Sequence, residues 1–206
     1  MCLMTHVSAC SDPGPRDRNE DGFYAAPGLL VLADGMGGHL GGQAASAAAV
    51  GAIQEELSGG DADAARVASA IDWASQCVRD VSAGGTTLVV AVISGDTARV
   101  AWVGDSRAYW LSAEGVALLT EDHHDGSGLT RWLPDAADPE QVTLILQPGE
   151  QLVLCTDGIT DVLSDTEIAD IVAGAEEPAD ALVAEALDAG ANDNCTAVVY
   201  THGGAP

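Results

Sequence analysis

The stretch "LLVLADGMGG" (Leu29–Gly38) joins two unlike halves. Leu29 to Ala33 is an unbroken apolar run of strand length, and such a run reads as a strand buried on both faces. Asp34 follows at once, a carboxylate that an apolar core cannot solvate. Beyond it glycine is the commonest residue, so the backbone there is not built for packing.

The same juxtaposition recurs. "RVAWVGDSR" sets Asp105 after an apolar run, and "QLVLCTDGITD" sets Asp157 after another. "ANDNCTAVVY" places Asp193 just before one, and "RDRNEDGFY" adds Glu20 and Asp21 near the N-terminus. Taken singly, each reads as a turn: Asp-Gly favours hairpins, "GDSR" suits a tight turn and "DN" an Asx-turn. Taken together, four or more carboxylates on convergent strand ends cannot all ionise near one another without compensation. The chain has no lysine and seven arginines, so divalent cations are the compensation that fits its composition. Oxygen donors select Mg²⁺, Mn²⁺ or Ca²⁺ over zinc. The glycines after Asp34 allow close backbone approach, so a carbonyl could join the carboxylates.

Composition sets the remaining bounds. A chain of 206 residues, 47% of them hydrophobic, suits one domain with a sizeable core, taken as residues 1–206. Aromatic residues are only 4%, which leaves the core to Ala, Val, Leu and Ile. The formal charge of −25 and the lack of a basic patch argue against a nucleic-acid binder. The absence of lysine excludes Walker A phosphate binding and Schiff-base chemistry. The five cysteines form no C-x-x-C pair and read as reduced thiols. No apolar run approaches the roughly 20 residues of a membrane span and no signal segment is present, so the expectation is a soluble, cytoplasmic protein that engages no membrane.

The rest of the chain alternates in period. Gln43–Leu57 has high helix propensity. In the next segment Val67, Ile71, Ala74, Val78 and Val81 are spaced by four, three, four and three residues, the mark of an amphipathic helix. "TTLVVAVIS", "ARVAWVG", "RAYWL" and "VALLT" then read as an antiparallel meander. Glu121–Asp138 shows little periodicity, "VTLIL" and "QLVLCT" return to strand, and Ser164 with Glu167 predicts a capping box. Pro178 suits the first turn of a further helix through Leu187, and "CTAVVYT" closes the chain as a strand. Strands in blocks with helices in pairs predict an α+β fold, helices covering antiparallel sheets.

Other site types fit less well. Leu40 stands where a dinucleotide fingerprint needs its third glycine. His123 and His124 are adjacent and are read as surface residues, and His39 as a loop or hydrogen-bonding residue. Thr86 and Thr87 precede a strand with no base nearby in sequence, so strand propensity explains them.

Six motifs together resemble the metal-dependent Ser/Thr phosphatases of the PPM (PP2C-like) family, its bacterial members in particular. They are "R-x-x-N-E-D" (Arg16–Asp21), "ADGMGGHLGG", "GGTTLVVAVI", "VAWVGDSRAYW", "LVLCTDGITDVLSDTEI" and "NDNCTAVVY", in the family's order from Ser11 to Thr201. The resemblance implies a four-layer α-β-β-α sandwich of two antiparallel sheets with the site in a cleft at one edge. It implies two Mn²⁺ or Mg²⁺ ions and a weaker third. Asp34 would bridge the two, with the Gly35 carbonyl on one. Asp157 and Asp193 would complete the shell of the first ion, Glu20 would serve the second directly or through water, and Asp105 with Asp157 would match the third. Arg16 would grip the substrate phosphate, and Asp21 would orient water from behind. The activity implied is hydrolysis of phosphoserine and phosphothreonine by a metal-activated bridging water without a phosphoenzyme, with a Ser/Thr kinase and its targets as partners. The chain departs from the family at Thr120–Gln141, where the flap beside the active site is abbreviated. Two alternatives stand beside this reading: a non-catalytic module that binds phosphoproteins or a regulatory partner, and a phosphatase of small phosphate esters.

Overall fold

The apolar runs become strands with both faces covered. In a computed structural model, which describes residues 4–37, 41–59, 61–126, 128–135 and 138–203, Leu29–Ala33 is strand β3 and all five of its residues are buried. Side chains alternate along a strand, and the two faces of β3 enter different cores. Leu29, Val31 and Ala33 pack under helices α1 (Gly41–Leu57) and α2 (Ala64–Val81), whereas Leu30 and Leu32 face the opposite sheet.

β3 belongs to a five-stranded sheet in the order β10-β7-β6-β3-β2, formed by β2 (Gly22–Ala26), β6 (Leu88–Ser94), β7 (Thr97–Val103) and β10 (Glu140–Ile145) around it. The second sheet runs β1-β12-β11-β8-β9, from β1 (His6–Asp12), β8 (Arg107–Ser112), β9 (Gly115–Leu118), β11 (Gln151–Cys155) and β12 (Cys195–Thr201). Every pairing is antiparallel. Val153 and Cys155 of β11 and Ala197 and Val199 of β12 pack under α4 (Asp165–Gly174) and α5 (Pro178–Asp188). Leu152, Leu154, Val198 and Tyr200 meet Leu30, Leu32 and Val89 between the sheets. The layers are therefore helix, sheet, sheet, helix, as expected. Among the described residues no helix is long and apolar enough to cross a membrane.

Local signals hold where they were strongest. Ser164 and Glu167 form the capping box that opens α4, and Pro178 opens α5. Helix α2 starts at an Asp63 cap and buries Val67, Ile71, Ala74 and Val78, while Val81 in its last turn lies exposed. The meander is corrected. β6 pairs with β7 and β8 with β9, but β7 and β8 lie in different sheets. Gly104–Ser106 carries the chain from one sheet to the other, and Asp105 sits at that crossing.

The register brings the acidic motifs to one end of the sandwich. Gly22 pairs with Ala33, Leu88 with Val103, Cys155 with Arg107 and Asp12 with Cys195. Each pair lies next to one of the acidic positions. Sequence-distant carboxylates thus arrive together because antiparallel strands place ends beside starts.

Candidate active site

Asp34 leaves β3 with its backbone fully engaged. Its N–H donates to Thr87 Oγ1 at 2.9 Å, and its carbonyl accepts the Thr87 N–H at 2.9 Å and the Thr86 hydroxyl at 2.8 Å. Thr87 Oγ1 also shares a 2.7 Å hydrogen bond with Ser106 Oγ, so one buried threonine ties the Asp34 and Asp105 loops together. The reading of these threonines as strand formers is therefore incomplete: both hold the site. The next residues form a two-residue strand β4 (Gly35–Met36) against β5 (Gly85–Thr86). Gly35 is buried, and a Cβ there would collide with the Gly42 and Glu20 carbonyls. A Cβ on Gly42 would strike the Glu20 carboxylate. Glycine is required because three backbones and a carboxylate meet there.

Asn194 organises the opposite wall. Its Oδ1 accepts the Glu20 N–H at 2.8 Å, and its amide donates to the Pro13 and Arg18 carbonyls at 2.9 Å each. Its own N–H caps Asp193 Oδ1 at 2.8 Å. Asp157 begins the one-turn helix α3 (Asp157–Thr160). Asp21 lies behind, where its Oδ2 accepts the Thr196 hydroxyl at 2.6 Å and the Thr156 hydroxyl at 3.1 Å.

Six acidic or carbonyl positions and Arg16 line one cleft of about 540 Å³. Arg16, Glu20, Asp34, Gly35, Asp105, Asp157 and Asp193 line it, and Asp21 does not. Arg16 is engaged with the site itself: Nη2 contacts Asp193 Oδ2 at 2.6 Å and Nε donates to the Asn192 carbonyl at 2.9 Å. A guanidinium has five donors, so three remain for another anion. His39, with Gly38 and Leu40, lies outside the described residues.

The electrostatics show a site short of positive charge. Burial, then the charges of Asp21 and Asp157, push the Asp34 carboxyl well above the usual range. Burial likewise raises Asp21 to about 6 and Asp157 to about 6, the latter with help from Asp105, Asp161 and Asp193. Asp105 is also raised, mainly by burial. One oxygen each of Asp21 and Asp157 is buried without a hydrogen-bond partner, an arrangement proteins rarely leave uncompensated. Among the described residues no three His, Cys, Asp or Glu side chains are already drawn together closely enough to chelate a cation. The donors instead surround a cavity. An all-oxygen set with orphaned carboxylate oxygens suits a hard divalent cation.

His123 corrects the sequence reading. It is buried, 7% exposed, and bonded to Gly104, whereas His124 is exposed as expected. Asn194 and Ser106 were not singled out, although both stand inside quoted motifs. Cys10, Cys77, Cys155 and Cys195 are free thiols, as expected, and Cys2 lies outside the described residues.

Residues 18–189 match the protein phosphatase 2C family. The serine/threonine protein phosphatase PstP of Mycobacterium tuberculosis is 33% identical over 96% of this chain, which spans 45% of PstP. The serine/threonine phosphatase stp of Listeria monocytogenes is 28% identical over 83% of both chains. Among solved structures, PppA, a regulatory component of the type VI secretion system (T6SS) in Pseudomonas aeruginosa, superimposes with a TM-score of 0.88 at 27% identity, covering 97% of this chain and 98% of PppA. The catalytic domain of PstP in complex with two manganese ions gives 0.83 at 30% identity, with the same coverage.

Proposed function

The chain belongs to the protein phosphatase 2C family, and from that premise we propose that residues 1–206 form one PP2C-like domain that hydrolyses phosphoserine and phosphothreonine in proteins with Mn²⁺ or Mg²⁺. The observation that carries the proposal is the cleft itself: buried carboxylates with unpartnered oxygens beside an arginine with donors to spare. Asp34, the Gly35 carbonyl, Asp157, Asp193 and Glu20 would hold two cations, and Asp105 with Asp157 a weaker third. Bound there, the cations would polarise the phosphoryl group and lower the pKa of water enough for attack at neutral pH.

The chain's own residues supply the rest. Arg16, anchored through Nε on the Asn192 carbonyl, presents its remaining N–H donors to two phosphate oxygens. Asp21, held by Thr156 and Thr196, keeps one oxygen free to accept a hydrogen bond from water behind the cleft. Thr86 and Thr87 keep Asp34 from moving when charge in the cleft changes. Among the described residues no side chain is assigned as a nucleophile. The matching partner is a Ser/Thr kinase whose products are the substrates, and the free thiols favour the cytoplasm.

The test is hydrolysis of a phosphothreonine peptide and of phenyl phosphate, with Mn²⁺ and with EDTA. Metal-dependent turnover favouring the peptide is expected. Turnover unaffected by EDTA refutes the proposal, and a preference for the small ester moves the substrate class.

A further inference from the structure

The segment that follows β9 is fastened beside the cleft at two points, and His123 makes the first fastening. Its backbone N–H donates to the Gly104 carbonyl at 3.0 Å, and its Nδ1 accepts the Gly104 N–H at 3.0 Å. One residue therefore satisfies both backbone groups of the residue that precedes Asp105. Accepting at Nδ1 requires a lone pair there, which places the ring proton on Nε2. Nε2 lies 3.1 Å from Glu140 Oε1, and Arg131 Nη1 is 3.1 Å from the same oxygen. Both are donors to Glu140, so the 3.1 Å approach of Arg131 to Nε2 is a contact between two donors and not a bond.

Position 104 admits only glycine in this arrangement. Its φ is +114°, and a Cβ would stand 2.6 Å from the Thr87 side chain. Thr87 in turn holds Ser106 Oγ and the Asp34 N–H. Asp105 thus occupies the middle of a three-residue crossing held by His123 on one side and Thr87 on the other. The far end of the segment is fastened separately. Leu133 exchanges two 2.9 Å backbone hydrogen bonds with Thr86, and Trp132 lies over Gly85.

We propose that His123 is a positioning residue: as a neutral imidazole protonated on Nε2, it fixes Asp105 in the cleft through Gly104 and ties the segment Glu121–Glu140 to that position. It touches no reacting atom. The clamp stands on geometry alone, and its consequence for cation binding rests on the reading of Asp105 given above.

Two substitutions separate the ring nitrogens. Asparagine places its amide oxygen near Nδ1 and can accept from Gly104, whereas glutamine reaches past it toward Glu140. In calorimetric Mn²⁺ titrations, the component of binding that Asp105→Ala removes should weaken about tenfold in His123→Gln and His123→Ala. His123→Asn should hold it within about twofold of the unsubstituted protein, since one acceptor is restored. Nitrogen-15 spectra of the metal-free protein should show His123 protonated on Nε2, with the Gly104 amide slow to exchange, and that exchange should quicken with glutamine and not with asparagine. A proton on Nδ1, or equal behaviour of the asparagine and glutamine variants, overturns the proposal. If the cleft binds no Mn²⁺ in the unsubstituted protein, the proposed function falls, while the tautomer and the Gly104 exchange still decide the clamp.

Discussion

Replacing Asp157 with asparagine should make the metal-free protein more stable while depriving it of its cations. Burial and neighbouring carboxylates raise Asp157 from 3.8 to about 6, so at pH 8 the folded state carries a charge that it would rather neutralise. Roughly two pH units at about 1.4 kcal/mol each give about 3 kcal/mol. Asp157 lines the cleft, where solvent screens part of that cost, so a gain of about 1–3 kcal/mol is expected for Asp157→Asn. In a chain of this size that corresponds to roughly 3–10 °C in Tm.

The sign follows from linkage: a carboxyl raised on folding costs the native state most above its folded pKa, and the cost is gone below its unfolded pKa. The gap between variant and parent should therefore be full at pH 8, shrink as pH falls through about 6, and vanish below about 3.8. Thermal unfolding in EDTA across that range is the assay. Adding Mn²⁺ at pH 8 should reverse the order, because a cation at a hundred times its dissociation constant adds about 2.7 kcal/mol to the parent. A variant less stable than the parent in EDTA at pH 8, or a gap that does not change with pH, refutes the reasoning.

Three further outcomes are expected. Because a proton on Asp157, raised to about 6, competes with a cation for the same oxygens, Mn²⁺ affinity measured by calorimetry should rise from pH 5 to pH 7 with proton release; a pH-independent affinity contradicts this. Thr87→Val keeps the shape of the side chain but orphans the Asp34 N–H and the Ser106 hydroxyl, so urea unfolding should show a loss of about 1–3 kcal/mol; no loss would mean that those bonds hold nothing. Arg16→Ala should lower kcat/KM on a phosphopeptide by about tenfold to a hundredfold, and Arg16→Lys should not restore it, since an ammonium cannot make the paired contact.

Much of this was legible in the sequence, and the reasons differ by feature. Leu29–Ala33 and Gln151–Cys155 announced themselves as strands because both of their faces are buried. The capping box at Ser164 and the proline at 178 fixed two helix starts by local chemistry alone. Strand β1 carries no such signal: "HVSACSD" owes its conformation to seven register pairs with β12, and pairing partners cannot be read from one strand. The switch of sheets at Gly104–Ser106 was hidden for a similar reason. Hairpin and crossover look alike in composition, and what distinguishes them is which strands β7 and β8 pair with.

The carboxylates were visible because a charge at the edge of an apolar run is conspicuous. The groups that hold them were not. Thr87, Ser106, Asn194 and His123 act through hydrogen bonds to groups 19 to 181 residues away, and such partners exist only after folding. His123 shows this most plainly, since an adjacent histidine pair in a polar segment reads as surface until the Gly104 amide is seen against its ring.

The measurement that bears most directly on the cleft as a cation site is anomalous diffraction from crystals soaked in Mn²⁺, compared with crystals of Asp34→Ala treated the same way. Two strong peaks among Asp34, Gly35, Glu20, Asp157 and Asp193 are expected in the parent, with both weakened or lost in the variant. A parent cleft without manganese peaks, or peaks that survive the loss of Asp34 unchanged, would contradict the assignment.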